Sequence, residues 1–382
     1  MSRRVFFIIQ GEGRGHMTQA LAMKELLEKN GMVVCGAVVG SNKRREVPSF
    51  FTDKMGGINV TLLPSPNFAK WRNRGINLTG TAWQTILNFK NYRRSVRLLD
   101  TLISTAQPDL IINFYEPLSA LWKIRFRRKI PVVSIAHQYL MLHHRFTHPK
   151  GHFLDKLILN SYTKFTASGS TVKLGLSFYP MSDDVSRNVY AVPPLLRREV
   201  SQLHPHKGGH YLVYMVNAGY LPDVVKWHEQ NRETLLHVFT DRNQASETEI
   251  LHENLHVHRL SDVKFLKLMS TCSGLITTAG FESVCEAMYL GKPVYMIPVE
   301  YHFEQFCNSR DAHKAGAGMY SNQYDIGRFM KWLPGFTSRS AEFREWADRA
   351  EPIIGSHLNR VLLANATETT VPPLMPGTAG AV

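Results

Sequence analysis

Three glycines and a histidine follow the apolar run VFFII near the start of the chain, in the segment GEGRGH. Gly11, Gly13 and Gly15 leave backbone N–H groups accessible to a ligand, and His16 adds a titratable ring. The macrodipole at a helix start lowers the pKa of an imidazole, so His16 suits a neutral general base. Together with Arg14, these residues predict a loop that binds an anion and takes part in a proton transfer. A tight turn without a ligand is the alternative.

A second polar cluster lies in the segment TTAGFESVCEAMYLGKPVYMIPVEYHFEQF of the second half. Apolar residues at spacings of three and four predict a helix that begins near Gly280, directly after the strand GLITT. The free N–H groups at that helix start would suit a diphosphate. Glu286, one turn further along, would repel a phosphate but could accept hydrogen bonds from a ribose diol.

A dinucleotide site is the rival interpretation of the first loop. Its fingerprint needs the third glycine one place later and an acidic residue at the end of the second strand. Here the second strand ends in AVVGSNKRR, without an acidic residue. This argues against NAD, whereas Arg44 and Arg45 leave a weak case for NADP.

Short apolar runs that alternate with helical patterns must position both clusters. The runs VFFIIQ, VVCGAVVG, DLIINFY and VVSIAHQ lie in the first half, and YLVYMVN, LLHVFTD, GLITTA and PVYMIPV lie in the second. Their continuous apolarity is typical of parallel strands buried on both faces. The alternation with helices predicts an α/β protein built from doubly wound sheets.

The 382 residues are more than one core usually supports, so we expect two domains. Pro193 and Pro194, followed by a polar stretch, predict a linker between a domain over 1–200 and a domain over 206–350. A C-terminal helix over 338–364 could pack back on the first domain. The segment 365–382 is rich in Pro, Thr, Gly and Ala, and we expect it to be disordered.

The charge is concentrated in the first half. Residues 1–205 carry 29 lysines and arginines against 12 acidic residues, whereas residues 206–382 carry 16 against 19. The segment TAWQTILNFKNYRRSVRLLDTLIS predicts a helix whose apolar side faces the core, through Phe89, Tyr92, Val96, Leu99 and Ile103. Its other side presents a basic stripe at positions i, i+3, i+4 and i+7, formed by Lys90, Arg93, Arg94 and Arg97. This stripe predicts an anionic partner such as a membrane surface, with a solvated helix face as the alternative.

The order of these motifs resembles that of GT-B glycosyltransferases that use nucleotide sugars. TTAGFESVCEAMYLGKPVYMIPVEYHFEQFCNS is similar to their donor-binding segment. GEGRGHMTQALAMKELLEKNG resembles the first acceptor-side loop of UDP-glycosyltransferases and of the lipid-linked peptidoglycan N-acetylglucosaminyltransferase. DLIINFYEP and YAVPPLLR stand where that family has its fourth-strand acid and its interdomain linker. The resemblance implies two Rossmann-like domains that face a cleft, an acceptor-binding one followed by a donor-binding one.

The resemblance also implies roles for individual residues in an inverting, metal-independent sugar transfer. His16 would be the general base, and Glu116 could orient it. The backbone near Leu260 would contact the base of the nucleotide, and Glu286 would bind its ribose. The diphosphate would be bound by the loop Thr278–Ser283, with Thr278, Gly280, Phe281, Glu282 and Ser283. Glu304 and Gln305 would contact the sugar hydroxyls. The sequence departs from the family at Thr278, where many relatives have histidine, and at Asn113, where many have aspartate.

The implied partners are a nucleotide-sugar co-substrate, with UDP as the expected nucleotide, and a hydroxyl acceptor on a lipid or other small molecule. We expect no cofactor, no metal and no nucleic-acid partner. The scattered cysteines and the lack of a leader predict a cytoplasmic protein, with peripheral attachment to the inner face of the membrane as an option. A UDP-sugar epimerase on the same fold and a non-catalytic nucleotide-sugar or nucleic-acid binding protein remain the alternatives.

Overall fold

The computed structural model describes residues 2–41, 47–66, 69–71, 75–77, 88–215, 218–241 and 246–370. Its first sheet contains seven parallel strands in the order β3-β2-β1-β6-β7-β8-β9. The strands are β1 (Arg4–Gln10), β2 (Val33–Ser41), β3 (Val60–Pro64), β6 (Leu110–Phe114), β7 (Val132–Ala136), β8 (Val172–Leu176) and β9 (Val189–Val192). A separate antiparallel pair is formed by β4 (Ala69–Trp71) and β5 (Gly75–Asn77).

Helices cover both faces of the first sheet. They are α1 (Gly15–Lys29), α2 (Ser49–Met55), α3 (Phe89–Ala106), α4 (Pro117–Phe126), α5 (His137–Leu140) and α6 (Phe153–Thr166). The central strand β1 is buried along its whole length after Arg4, as its continuous apolar sequence predicts. A short 3₁₀ turn at Val185–Arg187 precedes β9.

The second sheet also has seven strands, in the order β12-β13-β11-β10-β14-β15-β16. All neighbours are parallel except the pair β12 and β13. The strands are β10 (His210–Met215), β11 (Leu235–Thr240), β12 (Thr248–His252), β13 (Leu255–His258), β14 (Gly274–Thr277), β15 (Val294–Met296) and β16 (Gly318–Tyr320). The prediction of two doubly wound α/β sheets is therefore confirmed.

The remaining helices are α7 (Arg198–Ser201) in the connection between the sheets, then α8 (Leu221–Glu229), α9 (Asp262–Thr271), α10 (Phe281–Tyr289), α11 (Phe303–Lys314), α12 (Ile326–Trp332), α13 (Ser340–Ala347) and α14 (Ala350–Thr370). Single 3₁₀ turns lie at Ala218–Tyr220 and Leu333–Gly335. Helix α14 lies against α1 and β9 of the first sheet. Residues 365–370 of the segment expected to be disordered continue this helix, and 371–382 lie outside the described residues.

The topology places both predicted loops at a point where strand order reverses. In the first sheet β1 lies between β2 and β6, and in the second sheet β10 lies between β11 and β14. Ligands of open α/β sheets bind outside the carboxyl ends of strands at such points. The loop after β1 contains Gly11 and Gly13 and leads into α1 at Gly15, and the loop after β14 contains Thr278 and Gly280. One continuous apolar core joins the two domains, and Phe178 of the first packs on Phe281 of the second.

The basic helix differs in one respect from the sequence prediction. Val96, Leu99 and Ile103 face the core, but Phe89, which we expected beside them, is 58% exposed. Phe89 is the first residue of α3, and the buried residues of this helix begin at Ser95. The part of the predicted helix before residue 88 lies outside the described residues.

Candidate functional site

His16 lies in the first turn of α1, at the boundary between the two domains. It is buried, and its ring stacks on Tyr115 with the centroids 5.8 Å apart. Burial lowers the pKa of His16 to about 4, so the imidazole is neutral at neutral pH. Its Nδ1 atom lies 3.3 Å from Oε1 of Gln19, and no hydrogen bond among the described residues uses Nε2. A neutral imidazole of this kind can accept a proton.

Each of the three glycines before His16 meets a conformational or steric requirement. The Gly11 N–H donates to the Gly40 carbonyl oxygen at 2.7 Å, which joins the loop to the end of β2. Gly13 has φ +90°, a conformation that favours glycine. A side chain at Gly15 would overlap the carboxyl group of Glu282. The first turn of α1 is therefore shaped to admit a carboxyl group of the second domain, and Arg14 lies at its start with its guanidinium over Phe50.

Glu116 does not hydrogen-bond to His16. It is the N-cap of α4, where its Oε1 accepts from the Leu118 N–H at 3.1 Å and from the Ser65 hydroxyl. Its Oε2 atom is buried without a partner, and burial raises the pKa of Glu116 to about 8. Pro117 at the first helical position and the capping bond fix the side chain on its own helix. No hydrogen bond therefore supports the orienting role expected for Glu116. Gln19 is the residue that lies within hydrogen-bond distance of the His16 ring.

The segment after β14 forms the helix start that the sequence predicts. Thr278 is buried, Ala279 has φ 62°, and Gly280 is the N-cap of α10. The Ser283 hydroxyl donates to the Gly280 carbonyl oxygen at 3.2 Å. Phe281 stacks on His137 of the first domain with the centroids 4.2 Å apart, so its ring belongs to the core between the domains. Phe281 can therefore contribute only its backbone groups to the binding of a ligand.

Two acidic side chains of the second domain accept hydrogen bonds from glutamines of the first domain. The Gln19 amide donates to Oε1 of Glu282, and the Gln138 amide donates to Oε1 of Glu304 at 3.0 Å. Burial raises the pKa of each of these two glutamates to about 7. Neither glutamine was among the residues expected from the sequence. For Gln19 the available signal was its position one helical turn after His16.

Glu286 is buried and forms an ion pair with Arg197 of the segment that connects the sheets. The Arg197 guanidinium donates to Oε1 of Glu286 at 2.6 Å, and both contacts involve this one oxygen. Burial raises the pKa of Glu286, while the charge of Arg197 opposes that rise. Sequence reasoning did not identify Arg197. Leu260, between β13 and α9, is half-buried and packs against the main core.

Glu304 and Gln305, the residues expected to contact the sugar, both lie in the first turn of α11 but have different hydrogen-bond partners. Oε1 of Gln305 accepts from the Val299 N–H at 2.9 Å, so this side chain is turned back towards the loop before α11. Asn308, which sequence reasoning missed, donates to the Ala279 carbonyl oxygen at 3.2 Å. The side-chain oxygens of Gln138 and Asn308 are buried without a hydrogen-bond partner. Two unpaired acceptors close to Glu304 could receive hydroxyl groups of a ligand.

Among the described residues, one group has metal-ligand spacing: His143, His144 and Asp184. Both ring nitrogens of His143 are already engaged, with the Ser182 carbonyl oxygen at 2.8 Å and the Arg145 N–H at 3.0 Å. Asp184 accepts from Arg187 and Ser186. These bonds give the group a structural role, because they join the segment after α5 to the loop before β9.

The basic stripe is exposed along α3, with Lys90, Arg93, Arg94 and Arg97 all on the surface. None of the helices in the described part of the chain has both the length and the apolarity needed to cross a bilayer.

Residues 3–334 match the model of a protein family described as glycosyl transferase family 1. Solved structures with a similar fold include UGT89C1 of Arabidopsis thaliana complexed with UDP-L-rhamnose, which is 15% identical with a TM-score of 0.61 over 97% of this chain and 100% of that one. The calicheamicin glycosyltransferase CalG4 is 16% identical with a TM-score of 0.59 over 98% and 100%. The spinosyn forosaminyltransferase SpnP is 15% identical with a TM-score of 0.58 over 95% and 100%.

A search of curated proteins found no significant match. At these identities the solved structures show the fold, and the family model supplies the class of protein. Because that model covers most of the chain, and because two Rossmann-like sheets bring its motifs together at the domain boundary, the protein belongs to glycosyl transferase family 1 and is a glycosyltransferase of the GT-B fold.

Proposed function

We propose that this glycosyltransferase moves a sugar from a UDP-sugar to an acceptor hydroxyl with inversion, without a cofactor or a metal. The observation that carries the proposal is the position of His16. A buried, neutral imidazole lies at the domain boundary, one hydrogen-bonded residue away from the helix start of the donor segment. His16 would take the acceptor proton as the acceptor oxygen attacks the anomeric carbon, and the nucleoside diphosphate would leave with the bonding electrons.

The donor would lie along the start of α10. The N–H groups near Gly280 and the hydroxyl group of Thr278 would donate to a diphosphate at this helix start, and the Ser283 hydroxyl would join them by exchanging its bond to the Gly280 carbonyl oxygen. The carboxyl group of Glu282 is turned towards Gln19 and Gly15, so its negative charge points to the first domain. UDP is proposed as the nucleotide because one structural relative is described in complex with UDP-L-rhamnose.

The sugar would lie beside Glu304, where the partnerless oxygens of Gln138 and Asn308 can accept hydrogen bonds from hydroxyl groups. Leu260 would lie near the nucleotide base, and Glu286 would accept hydrogen bonds from the ribose. An epimerase on the same fold would bind the same donor but would release an altered sugar nucleotide. Analysis of the products separates the two, because transfer yields free UDP and a glycoside.

Replacing Glu286 with glutamine should weaken UDP binding by about tenfold. A hydrogen bond to a charged group is worth about 1.5–3 kcal/mol, and glutamine keeps the shape and the contact with Arg197 but loses the charge. Calorimetric titration of wild type and Glu286→Gln with UDP measures the change. Glu345→Gln, an exposed residue of α13, is the matched control and should bind as wild type does.

NADPH and a short DNA duplex in the same calorimeter test the alternative partners. If UDP bound equally well to both variants, Glu286 would not be the ribose ligand. Tight binding of NADPH or DNA, with no binding of UDP, would contradict the proposed donor.

We further propose that the acceptor is lipid-borne and that the first domain docks on an anionic bilayer. Phe153, Leu154 and Leu157 at the start of α6 are 75%, 68% and 53% exposed, next to the exposed Lys156. Phe89 and the basic stripe lie at and after the start of α3. Helices α3 and α6 both pack on α4, and both begin at the carboxyl edge of the first sheet, the edge that faces the site. Exposed apolar side chains between cations suit a surface of anionic lipid.

Replacing Phe153 and Leu154 with serine should reduce vesicle binding by about tenfold or more, because each apolar side chain contributes about 1.5–3 kcal/mol when buried. Co-sedimentation with phosphatidylcholine vesicles, with and without phosphatidylserine, measures the fraction of protein bound. Arg93→Glu with Arg97→Glu should abolish the preference for phosphatidylserine. Ile250→Ser, an exposed apolar residue of the second domain, is the control. Equal binding by all variants would contradict the docking surface.

A further inference from the structure

The residues around His16 join its imidazole to a carboxyl group of the other domain. Oε1 of Gln19 lies 3.3 Å from Nδ1 of His16 within α1, and the Gln19 amide nitrogen donates to Oε1 of Glu282 at the start of α10. Gln19 is 1% exposed, so its amide group lies away from bulk water. Gly15, without a side chain, leaves the space that the Glu282 carboxyl group fills.

The chemistry of these groups fixes the direction of each hydrogen bond. An ionised carboxylate is an acceptor, so it must face the NH₂ end of the Gln19 amide. The oxygen end of that amide then faces His16, and an amide oxygen is also an acceptor. The Nδ1 atom of His16 must therefore carry the proton of the neutral ring, which leaves the lone pair on Nε2.

We propose that Gln19, fixed by Glu282 across the domain boundary, is the positioning residue that sets the Nδ1–H tautomer of His16 and so makes Nε2 the basic atom. The inference rests on the proposed role of His16 as general base and extends it to the second domain. The base acquires its tautomer when the donor domain is in contact with α1. Proton abstraction is thereby coupled to closure of the two domains around the donor.

Other candidates for this role are engaged elsewhere. Asn113 donates to the Thr166 carbonyl oxygen at 2.9 Å and accepts from the Glu116 N–H at 2.9 Å. Glu116 caps α4 and bonds to Ser65. Tyr115 contacts the face of the His16 ring, while its hydroxyl group lies 2.7 Å from that of Thr163. Gln19 thus makes the one hydrogen bond that the described residues form with the His16 ring.

Nitrogen-15 NMR of the histidine rings tests the proposal without a substrate. The full-length protein is labelled at histidine, and the His16 signal is assigned by its absence from His16→Ala. At pH 8.5 the pKa values of His16 and Glu282, about 4 and 7, leave the ring neutral and the carboxyl group ionised. We expect His16 of the wild type in the Nδ1–H form. The Nε2–H form in the wild type would overturn the proposal.

Two variants separate a direct effect from a general loosening of the domains. Gln19→Leu should shift His16 largely to the Nε2–H form, which is the form favoured by a free imidazole. Gln138→Leu breaks the other glutamine–glutamate bond between the domains and should leave His16 in the Nδ1–H form. An unchanged tautomer in Gln19→Leu, or an equal shift in Gln138→Leu, would contradict direct positioning by Gln19.

A charge exchange provides a rescue. Gln19→Glu with Glu282→Gln places an acceptor oxygen against Nδ1 and an amide donor behind it, so the Nδ1–H form should return. The new carboxylate should also raise the pKa of His16 above that of the wild type. A double variant that stays in the Nε2–H form would overturn the proposal. These outcomes are independent of the proposed function, which fails separately if His16→Ala retains full transferase activity.

Discussion

His16→Ala is expected to lower the turnover number by about 10²–10⁴-fold, the usual contribution of a general base. UDP affinity should remain within about twofold of wild type, because the donor segment lies on the other domain and its contacts do not involve the imidazole. The measurement is the initial rate of UDP release, with a donor and acceptor identified by screening, next to calorimetric titration with UDP. A rate equal to that of wild type would show that His16 is not the base.

The pH profile gives an independent result for the same residue. The imidazole accepts a proton when it is neutral, which holds above its pKa of about 4. Protonation of His16 should therefore reduce kcat/KM near pH 4 rather than near 6.5, where an ordinary histidine titrates, and a separate decrease near pH 7 would belong to Glu282, whose pKa is about 7. His143→Gln is the matched control, since His143 is also a buried histidine of the first domain but lies after α5 and bonds to the Ser182 carbonyl oxygen. Its turnover number should equal that of wild type.

Arg197→Met is expected to lower the free energy of unfolding by about 3–5 kcal/mol, because it leaves the buried Glu286 carboxylate without its partner. The side chains of the two residues are 10% and 3% exposed, so bulk water cannot replace the guanidinium beside Glu286. Chemical denaturation followed by circular dichroism measures the loss. Acidification should reduce it, since an unpaired buried carboxyl group has a raised pKa and its penalty disappears when it is protonated.

Two further variants check the physical reason. Arg197→Met with Glu286→Leu removes both charges and should recover most of the stability. Arg339→Met removes a cation from the exposed pair Arg339–Glu342, where water replaces the partner, and should change stability by about 1 kcal/mol or less. If the single change at Arg197 had no larger effect than that at Arg339, the buried ion pair would not be a major source of stability.

The sequence alone determined the architecture and the position of both loops. Continuous apolar runs separated by helical patterns predict parallel strands buried on both faces, because a strand covered by helices on each side has no polar face. The structure confirms this for all eight runs that were identified. Glycines after β1 and the helix start after β14 were also evident, since turn chemistry and apolar spacing are local properties.

Particular side chains departed from expectation where a neighbour decided their position. Glu116 follows a strand and precedes a helix, a place that suits either a catalytic acid or a cap, and Pro117 and Ser65 favour the cap. Phe281 carries a ring that could contact a ligand, yet His137 and Phe178 of the other domain enclose it. The apolar spacing that placed Phe89 in the core is correct for the helix, but Phe89 is its first residue and the buried residues of the helix begin at Ser95.

The tertiary structure alone decided which polar groups meet at the domain boundary. Gln19 and Glu282 are separated by 263 positions, and Gln138 and Glu304 by 166, so no local pattern connects them. Their pairing depends on the packing of α1 and α5 against α10 and α11. A buried amide or carboxyl group must find a hydrogen-bond partner within about 3 Å, and packing determines which one is within reach. The sequence therefore specified the loops and the catalytic residue types, while the contact between two domains set how His16 is held.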